Sequence, residues 1–94
     1  MCISDVLMRG EENAMTGKEI CKILDISIRD LTASVEQERR EGKPICASVK
    51  KPFGYFLAAT KDEMHRYCRS LKHRADEIHK TRIACTKTME GLPD

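Results

Sequence analysis

Histidine and cysteine recur together in the last third of this 94-residue sequence: His65 and Cys68 stand at i, i+3, and His79 with Cys85 makes a looser pair. On a helix the first spacing puts two donors on one face, which is how a zinc site begins. A closed site needs four donors, and the two pairs would lie about 20 Å apart along one helix, so no metal is expected. The cysteines, Cys2, Cys21, Cys46, Cys68 and Cys85, are 19, 25, 22 and 17 residues apart, an odd number with no Cys-x-x-Cys. That pattern fits neither a disulfide framework nor a zinc finger and predicts reduced thiols packing as small apolar residues. A Cys or Ser nucleophile needs a histidine within hydrogen-bond reach and a third group to orient it, yet every histidine falls on one predicted helix with no pocket beside it. Glycine loops of the phosphate-cradling kind are absent. The chemistry-bearing residues therefore predict a protein that is not an enzyme, with no cofactor and no small-molecule ligand.

Composition narrows the class further. Seventeen Lys and Arg face 15 Asp and Glu, for a net charge of +2; 34% of residues are charged, 4% aromatic, and none is Trp. A chain of this length supports one small core and no deep catalytic pocket. No run reaches the roughly 18 apolar residues of a membrane span, and Met1 to Gly10 lacks the layout of a secretory signal. A cytoplasmic protein without a membrane partner is expected.

Turn signals divide the chain into a head, residues 1–59, and a tail, 60–94, that has neither Gly nor Pro until Gly91 and Pro93. Ile3, Val6 and Leu7 predict a short first helix stopping near Arg9-Gly10, and Glu11 to Met15 a polar loop. Thr16-Gly17-Lys18-Glu19 has capping-box spacing and opens a second helix, with Ile20, Cys21, Ile23 and Leu24 as its apolar face. After a turn at Asp25-Ile26, Ser27 and Asp30 repeat the signal in weaker form. Ile28, Leu31 and Val35 then form the apolar stripe of a third helix that ends before Gly42. Pro44 to Ser48 and Tyr55 to Ala59 read as strands of a hairpin joined by the loop Val49 to Gly54. The fold class is mainly α with a small β-hairpin (α+β).

Two helices joined by a short turn and followed at once by a hairpin have the order of a winged helix. Thr16 to Ala58 resembles the winged helix-turn-helix of the biotin operon repressor type in the Thr16-Gly17-x-Glu19 opening, Asp25-Ile26-Ser27, Arg39-x-x-Gly42 and Gly54-Tyr55-Phe56-Leu57. Nearly the whole chain, including Gly42 to Ser48 and the ending Gly91-Leu92-Pro93, also resembles small winged-helix proteins encoded by prophages and mobile elements. The resemblance implies that Tyr55 and Leu57 point inward with Phe56 partly exposed. It also places Glu38 where relatives bury a Leu, so that either Glu38 lies at a wet edge of the core or the helix is slightly rotated.

By the same template the chain would bind double-stranded DNA. Ser27, Arg29, Thr32, Ala33 and Gln37 would meet base edges, while Lys18, Lys22, Lys50 and Lys51 would meet phosphates. Arg29 is the strongest candidate because a guanidinium can bind guanine bidentately. Residues 1–59 carry nine basic and nine acidic side chains, so a lone head would bind weakly. The competing expectation is a protein-interaction module that keeps the winged fold.

Thr60 and Glu63 supply a third capping box. From Met64 onward, Cys68, Leu71, Ala75, Ile78, Arg82, Cys85 and Met89 follow at alternating spacings of four and three, the seam of a helix of roughly 40 Å. Such a helix exceeds what the head can cover, and Met64, Cys68, Leu71, Ala75, Ile78 and Cys85 are the expected dimerisation residues. A homodimer with tails antiparallel or packed onto the other head is the favoured arrangement; folding back on its own head is the alternative. Arg66, Arg69, Lys72 and Arg74 form a stretch without acids and would be auxiliary phosphate contacts.

Overall fold

The computed structural model describes residues 2–48, 50–51 and 53–94; Met1, and Val49 and Pro52 of the expected hairpin loop, lie outside the described residues. Its regular elements are helices α1 (Gly17–Leu24), α2 (Ile28–Arg40) and α3 (Lys61–Glu90) and strands β1 (Ile45–Ser48) and β2 (Gly54–Leu57), preceded by two 3-10 turns, Ile3–Asp5 and Glu11–Asn13. The protein is mainly helical with one two-stranded antiparallel hairpin.

All three helices begin where a side-chain hydroxyl can take an orphan amide. Thr16 Oγ1 accepts from Glu19 N at 3.1 Å, Ser27 Oγ from Asp30 N at 3.1 Å and Thr60 Oγ1 from Glu63 N at 3.2 Å. Between α1 and α2 the chain turns through Asp25, which takes the left-handed conformation at φ 55°. Asp tolerates that conformation better than most residues because its short side chain can bond locally.

The predicted first helix is replaced by the single 3-10 turn Ile3–Asp5. Chain on either side is already committed: Leu57 N donates to Met8 O at 2.9 Å and Gly10 N to Leu57 O at 2.9 Å, so residues 8–10 run as an extended segment beside β2. Too few residues remain for a helix to repay its nucleation cost. Ile3 and Leu7 are nevertheless buried, as their spacing implied.

Glu38 occupies neither of the positions expected for it. It is buried at 6% exposure, and its carboxylate accepts from Ile3 N at 2.7 Å and Ser4 N at 3.0 Å. An acid is accommodated in the core here because it closes the open amides of the 3-10 turn, removing the penalty for burying unpaired N–H groups.

β1 and β2 pair with Ile45 opposite Leu57 and Cys46 opposite Phe56. Successive side chains leave a strand on opposite faces, and both faces of this hairpin are covered. Ile45, with Tyr55 and Leu57 half-buried beside it, joins the main core of Ile3, Leu7, Ile20, Leu31 and Val35. Cys46 and Phe56 form a second cluster with Ala58 and Tyr67, against which Met64 packs. Phe56 is thus buried at 3% exposure rather than partly exposed, because the first turns of α3 lie over the face that the resemblance left to solvent.

β2 is also held on its outer edge, where Met15 and Tyr55 exchange backbone bonds of 2.9 and 2.7 Å. Gly54 makes this approach possible. Its φ is +135°, and a Cβ there would lie 2.0 Å from Met15 O, so no larger residue fits without moving the backbone.

Candidate nucleic-acid interface

Leu31, Val35 and Glu38 turn α2 toward the core, which leaves Arg29, Ala33, Gln37 and Thr32 exposed along its outer side. Arg29, Ala33 and Gln37 follow one another at i, i+4 and share a face. Ser27 is exposed as well, although its hydroxyl is engaged as the α2 N-cap. Thr32 Oγ1 donates to Ile28 O at 3.0 Å, which leaves its methyl and the hydroxyl lone pairs for a ligand. Asp30, Glu36 and Glu41 flank the same surface, with Arg40 Nη2 held by Glu36 Oε1 at 2.9 Å. Lys18 and Lys22 are exposed on α1.

Lys50 and Lys51 are exposed in the segment between the strands, yet Lys50 is not a free cation. Glu11 Oε1 lies 3.5 Å from Lys50 Nζ and 3.5 Å from Arg66 Nη1, and the Ser48 hydroxyl is 3.1 Å from its other oxygen. The Glu11 side chain is only 19% exposed, while Lys50 and Arg66 are 69% and 44% exposed, so one sheltered carboxylate faces two cations that water still screens. A pocket of about 320 Å³ lined by Glu11, Glu12, Lys50, Lys51, Glu63 and Arg66 is therefore of mixed sign. The hairpin and the basic stretch of α3 do meet, and an acid stands at the junction.

Glu63 fixes that junction. Its carboxylate accepts from Ala59 N at 2.7 Å and Glu11 N at 2.9 Å, tying the start of α3 to the loop before α1. These two amides hold the Glu63 carboxyl below its ordinary range. Further along, Arg66 also contacts Asp62 at 3.1 Å and Lys72 contacts Asp76 at 3.0 Å, leaving Arg69 and Arg74 as the cations of the stretch without an ion pair among the described residues.

The seam expected along α3 divides into two parts. Met64 is half-buried against its own head, whereas Cys68, Leu71, Ala75, Ile78, Arg82, Cys85 and Met89 are all exposed. The residue that anchors the helix is Tyr67, buried at 7% exposure and absent from the expected set because it stands one position off the four-three pattern. The Arg39 guanidinium lies over its ring, 4.7 Å from the centroid, while Arg39 Nε donates to Ile45 O at 2.8 Å. Arg39 Nη2 is buried and has no hydrogen-bond acceptor among the described residues.

Neither histidine–cysteine pair gathers further donors: no cluster of three or more His, Cys, Asp or Glu suited to a metal occurs among the described residues. Cys46 is buried, and burial pushes its thiol up to about 11, where it is unreactive at neutral pH. No helix is long and apolar enough to cross a membrane among the described residues. No protein family, curated protein or solved structure matches this chain.

Proposed function

We propose that the chain is a winged-helix protein that binds double-stranded DNA sequence-specifically as a homodimer, in transcription regulation or in an accessory role in replication or excision. The observation that carries this reading is the outward face of α2, where Arg29, Thr32, Ala33 and Gln37 are exposed on a helix reached by a three-residue turn from α1 and followed directly by a hairpin. In that arrangement α2 enters the major groove, Arg29, Thr32, Ala33 and Gln37 meet base edges, Lys18 and Lys22 position the helix on the backbone, and Ser27, whose hydroxyl caps α2, keeps its O–H and one lone pair for a base edge. Lys51 and Lys50 supply the hairpin's phosphate contacts, the latter in exchange for Glu11. Two heads joined through α3 bring an Arg69 from each copy to the same duplex and offset the neutral charge of each head.

The experiment is selection of genomic fragments by the full chain at about 50 mM salt, followed by the same measurement on Arg29→Ala. An enriched palindrome with half-sites about 10 base pairs apart, weakened at one base pair by Arg29→Ala, supports the reading. No enrichment, with residual binding unchanged in Arg29→Ala, overturns it. A protein-interaction module is the second reading, favoured by Asp30, Glu36 and Glu41 beside that face. Capture of a host protein that survives nuclease treatment would select it.

A further inference from the structure

We propose that the groove between α2 and α3 receives the distal half of α3 from a second copy, running antiparallel. This rests on the homodimer of the preceding section and assigns it a direction and a surface. The groove, about 380 Å³, is lined by Val35, Tyr55, Tyr67 and Leu71, with Arg40 and Arg74 at its polar side. Tyr67 and Leu71 are also the start of a stripe. Ile78, Cys85 and Met89 continue it at helical spacing along the same face of α3, and Ile78 and Met89 are 69% and 64% exposed. One apolar surface thus begins inside the groove and runs out along a helix that has nothing packed on it.

Sterics choose the direction. At Met64 and Tyr67 this face is already occupied by the chain's own hairpin. A parallel partner would bring its own head to that same end, where two heads would compete for the space beside one groove. An antiparallel partner presents only its bare distal helix, and each head then lies at an opposite end of the pair.

Charge agrees with sterics. The stretch from residue 65 to 74 carries Arg66, Arg69, Lys72 and Arg74 and no acid, whereas residues 76–94 carry Asp76, Glu77, Glu90 and Asp94 against Lys80, Arg82 and Lys87. Antiparallel pairing sets the basic half of each helix beside the nearly neutral half of the other, whereas parallel pairing sets basic against basic. The twofold axis crosses α3 between the two halves, and each groove takes one partner end, so the contact is isologous and closes as a dimer.

The test mixes two forms of the full chain. One, at natural abundance, carries a nitroxide on Lys87→Cys, off the paired face, with Ser or Ala at Cys2, Cys21, Cys68 and Cys85; the other is unlabelled wild type enriched in nitrogen-15. The expected result is line broadening of the wild-type Val35, Arg39 and Leu71 amides, each at least as strong as that at Ile83. Broadening strongest around Ile83 and Lys87 with none in α2 means parallel pairing and overturns the proposal. Broadening confined to α3 residues near Leu71, without Val35 or Arg39, means that the tails pair outside the groove and also overturns it. Sedimentation of the wild-type chain separates this from failure of the underlying reading: a dimer mass with either contrary pattern removes only the groove and direction, while a monomer mass removes the homodimer as well.

Discussion

The Glu38 carboxylate accepts the Ile3 amide at 2.7 Å, a bond that spans 35 residues and closes the N-terminal turn onto the middle of α2. It makes the chain before α1 part of the core rather than a leader to it, and it explains how a charged residue is accommodated at a position suited to leucine. Glu38→Leu is therefore expected to destabilise the protein, because the gain in apolar burial leaves the Ile3 and Ser4 amides unpaired. A loss of about 1–3 kcal/mol in urea unfolding is anticipated, with a larger loss for Glu38→Ala. An unchanged or raised midpoint for Glu38→Leu would show that these amides find other partners.

Tyr67 and Ile78 lie eleven residues apart on one helix and carry different loads. Tyr67→Ala removes the ring under Arg39 and opens the second cluster, so a loss of about 3 kcal/mol or more is expected, seen as faster amide exchange in Cys46 and Phe56. Ile78→Ala trims a side chain that is 69% exposed and should leave unfolding of the dilute protein within about 0.5 kcal/mol of wild type. Equal effects of the two substitutions would mean that α3 is not docked through Tyr67.

Glu11 restrains two of the cations nearest the hairpin. Glu11→Gln removes its charge while keeping a hydrogen-bond acceptor for Ser48, which frees Lys50 for phosphate and leaves Arg66 paired with Asp62 alone. Binding to unrelated duplex DNA should tighten several-fold at low salt, and the slope of log affinity against log salt should steepen by about one to two. No change in slope would place both cations away from the duplex.

Acid should act through Glu63. Its folded-state carboxyl titrates below the ordinary value of 4.5, so the ionised group stabilises the fold above that value and the contribution disappears as pH falls through the folded value. Thermal unfolding of wild type and Glu63→Gln should differ most near about pH 6 and converge toward about pH 3. A gap that stays constant over this window would assign the effect to packing.

Local chemistry was the legible part of this sequence. The caps at Thr16, Ser27 and Thr60 each depend on a residue three positions away and can be read from neighbours, and the hairpin's existence follows from two short β-prone runs, although β2 starts and ends one to two residues earlier than expected. What escaped reading depends on segments that meet only after folding. Phe56 is buried by Tyr67, Glu38 is satisfied by Ile3, and Lys50 is held by Glu11, each partner lying more than ten residues off. Tyr67 also fell outside a seam chosen for helix pairing, because the hairpin asks for a face slightly rotated from it. For the α2 surface, exposure follows from the apolar stripe of Leu31 and Val35, while the competition between its acids and bases becomes visible only when Glu36 is seen holding Arg40.

The backbone bonds from Met8, Gly10 and Met15 to β2 have a consequence for how the protein behaves when crowded. An unpaired strand edge is a template on which another chain can add, the usual route from a small sheet to aggregate. Here that side of β2 is closed by the chain's own N-terminal segment, through Leu57 and Tyr55. Copies that meet along β2 find no open row of donors and acceptors, which leaves the exposed helix, rather than this edge, as the surface on which they can associate.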